Sequence, residues 1–549
     1  MAADNTPNGP PRRILALVTT GGFTHGTPVL EICRVLARRG HTIDFATCAG
    51  QEGWVADFPF VSRVYSFAEG PSEAEYEAHY RRMLMHDPAK GIGPALCLAK
   101  TTRRDFIVAD FFVDAAALDM QVEFGVPCAV VYPQMPFLMA PVPCIPGQPG
   151  FQVDMTALTR EHASMWARLR NETVILWALP HIVPWMRWRN AMRRGARVKH
   201  KVPSEPKPNF LVLVNSFFGL EMPKELPPLI AAIGPVLADE YPALDSTSSR
   251  FMDSHSRTIY IALGTHVILP ERDVLKIFSG LVLALDAGFI NCVIWSRANG
   301  EVINLGGVLD GKHPDFLIPL FAPQRSILYH PNTALYLTHG GGSSAQEALF
   351  HGVRVVDSIK NDGSLKRVLT LGIYFDQLSN SAKLGIAGVG LSLDKFTFSP
   401  EEICTKIGEL VQDKSGLFAR NVERMKHIAR VASKRKNLAA DLVEEVMYDT
   451  ELRFDKNGKE ILPMHLQTAD ARMSSWRAKN WDLYTAALGM LVLPFVGDEF
   501  VQITESDRLN NNSDKATRIP LSPECIRGGQ VMLLVPVVGS GRFLGDGEQ

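Results

Sequence analysis

The sequence predicts an α/β protein built from two Rossmann-like domains that face each other across a cleft. Three observations predict this. Short apolar runs of strand length alternate with helical patterns in each half of the chain, and a polar stretch without sustained periodicity separates the halves. At 549 residues the chain is also too long for one compact core, so two domains are the natural expectation.

The first half opens with a βαβ pattern. Residues 14–20 form an apolar run, a glycine-rich turn follows at 21–28, and apolar residues then repeat at helical spacing until Gly40. The next strand is predicted over 42–47, so a parallel sheet begins here. Later strands of this sheet should be continuously apolar, because helices cover both faces. They are predicted at 105–112, 127–133 and 210–216.

The second half repeats this alternation after a polar linker. Ser399, Pro400 and Glu402 provide an N-cap, a first-turn proline and a capping-box acid for one of its helices. Its strands are predicted at 259–264, 291–296, 315–320 and 334–339. The predicted organisation is a disordered N-terminus (1–12), an N-terminal domain (13–240), a linker (241–257), a second domain (258–447), a segment returning to the first domain (448–480), and an apolar segment with a polar tail (481–549).

Composition excludes several classes of protein. The net charge of −1 provides no global field that would favour nucleic acid. The first residues are polar and proline-rich and do not resemble a signal peptide, so a cytoplasmic protein is expected. The eight cysteines show no CxxC pair and no metal-ligand spacing, which indicates reduced thiols and no metal site.

The residues with the clearest chemical pattern follow the predicted strand that ends at His339. A glycine triplet that includes Gly341 comes next, and Ser343 and Ser344 stand at the start of a predicted helix. Glycines allow the backbone to approach a phosphate, and the N–H groups and dipole of a helix N-terminus favour an anion. Glu347, one turn into the helix, can accept hydrogen bonds from two ribose hydroxyls. Without a ligand, the serines would cap the helix and Glu347 would be a surface residue.

Residues 321–352 resemble the donor-binding signature of the UDP-glycosyltransferase family, which has the GT-B architecture, and in particular its fungal branch, whose members often act on secondary metabolites or lipids. The resemblance covers roughly residues 13–480 and implies a UDP-sugar as donor substrate, with no further cofactor and no metal. It implies the following contacts: Phe321 on uracil, Gln324 on the base, His339, Gly341, Ser343 and Ser344 on the diphosphate with Thr265 nearby, Glu347 on the ribose, and Asp376 and Gln377 on the sugar hydroxyls. An equal alternative makes Phe321 a plain core residue.

The resemblance also assigns the catalytic pair. His25 lies in the first turn between strand and helix, where the family keeps its base, and Asp110 matches the acid that orients it. An imidazole with a pKa of about 6.5 can remove the proton of an alcohol as the alcohol attacks. A carboxylate on the far ring nitrogen fixes the tautomer. Taken alone, His25 would more often be a loop residue, and Asp110 a capping residue.

Two segments bear on the acceptor, which is expected to be small, hydroxylated and largely apolar. Residues 160–201 interleave tryptophans with a basic run at 187–201. They suit a helical hairpin with a solvated basic face, which is slightly favoured, or an interfacial segment in peripheral contact with a membrane. Residues 135–147, rich in proline and apolar residues, are a second candidate wall of the acceptor pocket.

Two segments depart from the family pattern. Residues 354–367 look like a polar insertion between the glycine loop and Asp376-Gln377, and they are expected to displace that pair. Residues 481–497 contain too short an apolar run for a membrane span, and suit a truncated anchor or a docking helix. Three functions stay open: an inverting UDP-sugar transferase with glucose as the default sugar, a UDP-sugar 2-epimerase of the same fold, and a catalytically impaired UDP-sugar binder.

Overall fold

The computed structural model describes two units of the chain, Met1–Ser474 and Ser475–Gln549. The described residues are 9–19, 22–69, 104–135, 164–166, 169, 173–195, 198, 200, 208–223, 225–264, 269–296, 313–352, 367–373 and 376–491. The described part of the first unit contains thirteen strands. They are β1 Arg13–Leu17, β2 Thr42–Ala49, β3 Val61–Glu69, β4 Phe106–Asp110, β5 Cys128–Tyr132, β6 Leu211–Val214, β7 Ile230–Ala232, β8 Thr258–Ala262, β9 Cys292–Ser296, β10 Phe316–Leu317, β11 Thr333–Thr338, β12 Arg367–Leu371 and β13 Gly390–Leu393.

Helices alternate with these strands. They are α1 Phe23–Arg38, α2 Asp114–Phe124, α3 Val174–Gly195, α4 Ser246–Ser254, α5 Glu271–Asp286, α6 Gln324–Tyr329, α7 Gly342–His351, α8 Asp376–Ile386, α9 Pro400–Gln412, α10 Leu417–Ala432, α11 Lys436–Leu452 and α12 Ser475–Ala478. The start of α9 follows the sequence signal, since the Ser399 side chain accepts a hydrogen bond from the Glu402 N–H.

Both sheets are parallel and share one strand order. The first runs β3-β2-β1-β4-β5-β6-β7, and the second runs β10-β9-β8-β11-β12-β13. Counted from the first strand of each half, both follow the 3-2-1-4-5-6 order of the Rossmann fold. The predicted fold class is therefore confirmed. In such sheets ligands bind at the carboxyl ends of the strands, which is where the candidate residues lie.

Several predicted strands have different lengths, and some strands were not predicted. The strand expected at 105–112 ends at Asp110, where a short 3₁₀ helix, Phe111–Val113, begins. The strand expected at 315–320 has only two residues. The strands without a prediction are β3, β7, β12 and β13. The edge strand β3 mixes exposed and partly exposed residues, so it lacks the continuous apolar pattern of a central strand.

The linker contains a helix and is not irregular throughout. Asp245 caps α4 by accepting hydrogen bonds from the N–H groups of Thr247 and Ser248. Met252 of this helix is fully buried in the core of the second half. Two adjacent apolar residues on a short polar helix give too weak a periodic signal to detect in the sequence.

The chain returns to the first half earlier than predicted. Helix α11 packs on α1, and its residues Ala439, Val443 and Met447 are buried in the core of the first sheet. The return therefore begins at Lys436 and not at residue 448, because the apolar face of α11 completes the first core.

The described part of the N-terminus is attached to the same helix. The Tyr448 hydroxyl donates a hydrogen bond to the Pro10 carbonyl, and Arg12 forms an ion pair with Glu451. Residues 9–12 are thus ordered, contrary to the prediction for 1–12.

The second unit is helical where it is described. After α12, residues 481–491 form a helix whose large apolar side chains, among them Trp481, Leu488 and Leu491, are mostly exposed. Nowhere in the described residues is a helix both long and apolar enough to pass through a bilayer. The remainder of the predicted segment 481–497 lies outside the described residues.

Candidate active site

Two neighbouring strands of the first sheet bring His25 and Asp110 together. Strands β1 and β4 are adjacent and parallel, so the start of α1, which follows β1, lies beside the last residue of β4. The His25 Nδ1 atom is 3.0 Å from Asp110 Oδ1. The other carboxylate oxygen, Oδ2, accepts a hydrogen bond from the Phe112 N–H at 3.0 Å. With Nδ1 donating to Asp110, Nε2 of the neutral ring is the proton acceptor.

His25 lies within a helix, whereas the sequence placed it in the turn between strand and helix. It belongs to the first turn of α1, and its N–H donates to the Gly22 carbonyl at 3.1 Å. Gly22 adopts φ 76°, a conformation that favours glycine and allows the sharp entry into the helix. A helical position holds the ring more firmly than a turn would.

The surroundings of His25 favour its charged form. Burial lowers the pKa of His25, but the charge and hydrogen bond of Asp110 and the charge of Asp376 outweigh burial and raise it above its usual value. The rings of Phe111 and Phe112 lie 5.5 and 4.9 Å from the imidazole. Two carboxylates therefore act on His25, which lies against two aromatic rings with a fifth of its side chain exposed.

In the second half, the loop after β11 is shaped around His339. A Cβ atom at Gly341 would lie 2.4 Å from His339 Nε2, and one at Gly264 would lie 2.8 Å from the ring. Both positions require glycine for the imidazole to stay where it is. Gly340 has φ 80°, and a Cβ there would lie 2.7 Å from Ser381 Oγ. The loop is thus packed closely against its neighbours.

Ser343 and Ser344 occupy the first turn of α7, a ten-residue helix. Both are partly exposed, and the phenol of Tyr336 lies within hydrogen-bonding reach of Ser344. The first N–H groups of a helix lack intrahelical partners and point outward along the axis. This turn can therefore hold an anionic group, as expected for a diphosphate.

Glu347 and Gln324 form a hydrogen-bonded chain behind that turn. Gln324 Nε2 donates to Glu347 Oε2 at 2.7 Å, and Gln324 Oε1 accepts from the Tyr336 hydroxyl at 3.0 Å. Burial raises the pKa of Glu347, while the hydrogen bond from Gln324 and the charge of Arg325 oppose the rise. The arrangement orients Glu347 so that its second oxygen can accept from a hydroxyl. In this conformation the Gln324 amide, which was predicted to contact the base, is bonded to Glu347 and Tyr336.

Phe321 is not a core residue. Its side chain is 77% exposed, three residues before α6 and Gln324. The alternative in which Phe321 simply fills the core is therefore wrong. An exposed ring at this position can stack on a planar group.

Asp376 and Gln377 lie beside the glycine loop despite the long segment that precedes them. Strand β12 pairs with β11, so the chain re-enters the sheet and α8 begins at the loop. A Cβ at Gly342 would lie 3.6 Å from Asp376 Oδ2, and one at Gly340 would lie 2.8 Å from the Gln377 carbonyl. The expected displacement of the pair is not observed.

The two members of this pair face different ways. Asp376 Oδ2 accepts from Asn380 Nδ2 at 2.9 Å, and burial raises the pKa of Asp376 against the charges of Lys383 and His25. The Gln377 side chain is buried, and its Oε1 accepts from the Ile373 N–H at 3.1 Å. Asp376 is therefore placed to meet a ligand, whereas Gln377 braces the start of α8.

The first half approaches this loop closely. The Pro133 carbonyl, directly after β5, would lie 3.8 Å from a Cβ at Gly342. Because β5 is the neighbour of β4, this contact brings Asp376 to the strand edge that carries Asp110.

Two predicted parts of the site, Thr265 and residues 135–147, lie outside the described residues. Sequence analysis missed Asn380, although its place four residues after Asp376 on one helix face was a usable signal. Within the described ranges, no three His, Cys, Asp or Glu side chains gather in a way that could hold a metal ion.

Comparisons of sequence identify a family for this chain. A family model described as UDP-glucoronosyl and UDP-glucosyl transferase matches residues 208–447. UDP-glycosyltransferase stmC of Aspergillus ustus is 41% identical over 530 residues, which cover 88% of this chain and 96% of that protein. UDP-glycosyltransferase FPY2 of Fusarium mangiferae is 36% identical over 550 residues, covering 88% and 97%.

Comparisons of structure bear on the fold alone, because the sequence identities are low. The glycotransferase of kitacinnamycin superposes with a TM-score of 0.53 at 17% identity, covering 79% of this chain and 98% of that protein. LpCGTa in complex with UDP superposes with a TM-score of 0.50 at 16% identity, covering 80% and 99%. Two facing Rossmann-like halves are thus an architecture shared with solved glycosyltransferases.

Proposed function

Because the chain belongs to the UDP-glycosyltransferase family, and so is a glycosyltransferase that uses a UDP-sugar, we propose that it transfers a hexose, by default glucose, with inversion at C1 to a hydroxyl of a small apolar acceptor. The observation that carries the proposal is the His25–Asp110 pair, which interacts electrostatically with Asp376 beside the glycine loop. Family membership favours the transferase over the 2-epimerase.

The donor is assigned to the second half. The first turn of α7, with Ser343 and Ser344, takes the diphosphate together with His339. Glu347, oriented by Gln324, takes the ribose hydroxyls, and Phe321 offers an exposed ring to the uracil. Support for these roles is the closeness of the groups in the structure and their order along the chain.

Asp376 is assigned to the hydroxyls of the sugar. Its position next to Gly342 supports this, since the sugar extends from the diphosphate toward the first half. Gln377 contacts the sugar only if its side chain leaves the Ile373 N–H. Thr265 keeps its proposed place near the phosphates, on the resemblance alone.

The chemistry uses His25 as a general base. Nε2 accepts the proton of the acceptor hydroxyl while its oxygen forms a bond to C1 of the sugar. The bond from C1 to the phosphate oxygen breaks, and UDP leaves with the electron pair. Asp110 stabilises the imidazolium that forms. The helix N-terminus and His339 meet the charge on the leaving group, so the proposed mechanism uses no metal.

Helix α3 supports an apolar acceptor. Arg193 donates to both carboxylate oxygens of Asp119 on α2, and the charge of Arg189 acts on Asp114 at the start of α2. The two helices therefore run in the same direction. Residues 174–188 precede these contacts and so lie toward the start of α2, which follows the carboxyl end of β4.

The first part of α3 carries exposed apolar side chains. Leu176 and Leu179 are exposed, and Met186 is exposed next to the exposed Arg187. Apolar side chains flanked by cations suit an apolar acceptor and also a peripheral contact with a membrane. The cytoplasmic location expected from the sequence stays a prediction.

The direct test is a transfer assay. The protein is mixed with UDP-glucose and a panel of phenols, sterols and terpenoids, and mass spectrometry detects acceptors that have gained one hexose. A β-configured product from the α-linked donor, identified by NMR, supports inversion. If UDP is bound but no acceptor gains a hexose, the catalytically impaired binder becomes the better hypothesis.

The His25→Ala variant tests the mechanism. We expect transfer to fall by about 10²–10⁴-fold, the usual contribution of general acid–base catalysis. UDP affinity, measured by calorimetry, should stay nearly unchanged because His25 belongs to the other half. His465→Ala is a matched control, since His465 also pairs with a carboxylate, Glu445 at 2.7 Å, outside the site. Equal loss of UDP binding would indicate a structural role for His25.

A further inference from the structure

Both connections between the two halves pass the same buried side chain. In the structure the linker runs from the end of β7 to α4 and so includes residues 237–239. Helix α11 brings the chain back after α10, which packs on α7 of the second half. Lys436 is the first residue of α11 and is buried. The side chain of this residue therefore stands where outgoing and returning segments meet.

The Lys436 ammonium group contacts α1 of the first half and the linker. Its Nζ atom is 2.5 Å from Asp239 Oδ1, 3.3 Å from the Leu237 carbonyl and 3.5 Å from Glu31 Oε2. An ammonium group has three donors, so these three acceptors account for its full capacity. Lys436 thus ties the linker to α1.

Glu31 connects this contact to the catalytic helix. It is fully buried on α1, six residues after His25, and its Oε1 accepts from Arg34 Nε at 3.1 Å. Each carboxylate oxygen has a cationic partner. A buried carboxylate is stable only when it is compensated in this way, so the position of Lys436 relative to α1 is strongly specified.

The same stretch of linker is held from the other side by the donor half. The Ala238 carbonyl, between the two linker residues that Lys436 contacts, accepts from Arg325 at 2.6 Å. Arg325 follows Gln324 on α6, and its charge acts on Glu347. Its guanidinium also lies 4.2 Å from the ring centre of Tyr241. Residues 237–239 are therefore fixed between the helix of the base and the helix of the donor site.

We propose that Lys436 is a positioning residue that holds the linker against α1 and so sets how His25 is placed relative to the donor. This proposal rests on the proposed function. Small misplacements of reacting groups, of about 1 Å, can cost about 10²-fold in rate. A contact that fixes the linker can therefore control turnover without touching a substrate.

The test uses a charge-neutral pair of substitutions. Lys436→Met alone would leave Glu31 buried without its ammonium partner and could unfold the protein. In Glu31→Gln/Lys436→Met no buried carboxylate is left uncompensated, and Asp239, which is half exposed, keeps Arg38 at 3.8 Å. We expect this double variant to fold and to bind UDP with unchanged affinity, but to lose about tenfold or more in kcat. Lys436→Arg, which keeps the cation, should recover part of kcat.

Glu444 provides the matched control. It is buried on α11 and accepts from Arg39 at 2.8 Å and from His41 at 2.9 Å, so it joins α11 to the residues that directly follow α1. Glu444→Gln should lower the melting temperature and leave kcat unchanged. A similar loss of kcat in both variants would overturn the proposal, because general docking of α11 would then explain it. So would wild-type kcat in the double variant.

A second measurement separates this proposal from the proposed function. Spin labels at Val122→Cys and Leu275→Cys, exposed positions on α2 and α5, report the distance between the halves once competing cysteines are replaced by serine. We expect a broader distance distribution in the double variant, whether or not an acceptor is known. An unchanged distribution would overturn the positioning role. Absence of transfer by the wild-type protein would overturn only the proposed function.

Discussion

Two carboxylates that come from different halves of the molecule act on His25. Asp110 contacts Nδ1 directly, and Asp376 acts from the start of α8. Together they raise the pKa of His25 despite burial. A raised histidine pKa stabilises the fold below the ordinary value of about 6.5, and this stabilisation is lost as pH rises through the raised pKa. The neutral imidazole, which catalysis needs as the proton acceptor, becomes populated as pH rises through this same pKa.

The pH dependence of transfer should therefore depend on the charge of Asp376. In the wild type, the acidic limb of kcat/KM should lie above the ordinary histidine pKa. Asp376→Asn should move this limb to lower pH, since one of the two carboxylates is removed, even if transfer itself becomes slower. Asp253→Asn is a control that removes a carboxylate from beside another histidine, His330. An unmoved limb in Asp376→Asn would contradict the electrostatic coupling.

The glycines of the donor loop allow a second comparison at this scale. An alanine at position 341 would place Cβ 2.4 Å from His339 Nε2, whereas one at position 342 would meet nothing closer than 3.6 Å. Gly341→Ala should displace His339 and weaken UDP binding about tenfold or more. Such a loss matches the contribution of about 1.5–3 kcal/mol that a hydrogen bond to a charged group makes.

Calorimetry with UDP measures this effect. Gly342→Ala serves as the control and should keep the wild-type melting temperature. In His339→Ala, the further change Gly341→Ala should cost little, because the displaced ring is already gone. An additive loss would show that Gly341 matters for another reason.

At the scale of elements, β12 decides where the sugar-binding pair lies. Its first residue, Arg367, pairs with Leu335 of β11 and binds Asp413 at 3.1 Å. The strand is therefore anchored at its beginning, after a connection far longer than the usual two to six residues for such units. This anchoring returns Asp376 to the glycine loop.

Removal of residues 354–366 should consequently spare the fold. Arg367 is kept because it belongs to β12, although it was counted with the insertion in the sequence. We expect turnover to change little, since Asp376 already lies beside the glycine loop, and the melting temperature to change little because loop closure depends weakly on length. A glycine-serine segment of equal length separates length from sequence. Lower turnover after deletion would show that the segment is part of the site.

At the scale of the whole molecule, a buried ion pair joins α8 to the segment after β6. Lys383 Nζ is 2.8 Å from Glu221 Oε2, and both side chains are almost completely buried. Lys383→Met should lower the free energy of unfolding by about 3–5 kcal/mol, because Glu221 would remain buried without a partner. Urea denaturation measures the change.

The double variant Glu221→Gln/Lys383→Met provides the control for that prediction. It removes both charges and should recover most of the stability. If the single and double variants are equally unstable, then the loss of packing by the lysine stem, and not the unpaired carboxylate, is the cause.

The amino-acid sequence by itself determined the central strands, the helix at Ser399, and the order of the donor residues. These features are local: continuous apolar runs mark strands covered on both faces, and a cap or a glycine loop acts within a few neighbouring residues. Elements with weak local patterns, such as β3 and α4, were not predictable in this way.

Only the tertiary structure decided which distant groups meet. His25 and Asp110 are 85 residues apart, and they touch because β1 and β4 are neighbours in the sheet. The inward turn of Gln377, the exposure of Phe321 and the junction at Lys436 likewise depend on packing between separate segments. The physical reason is that strand order and helix docking follow from the burial of whole surfaces, which no short stretch of sequence encodes.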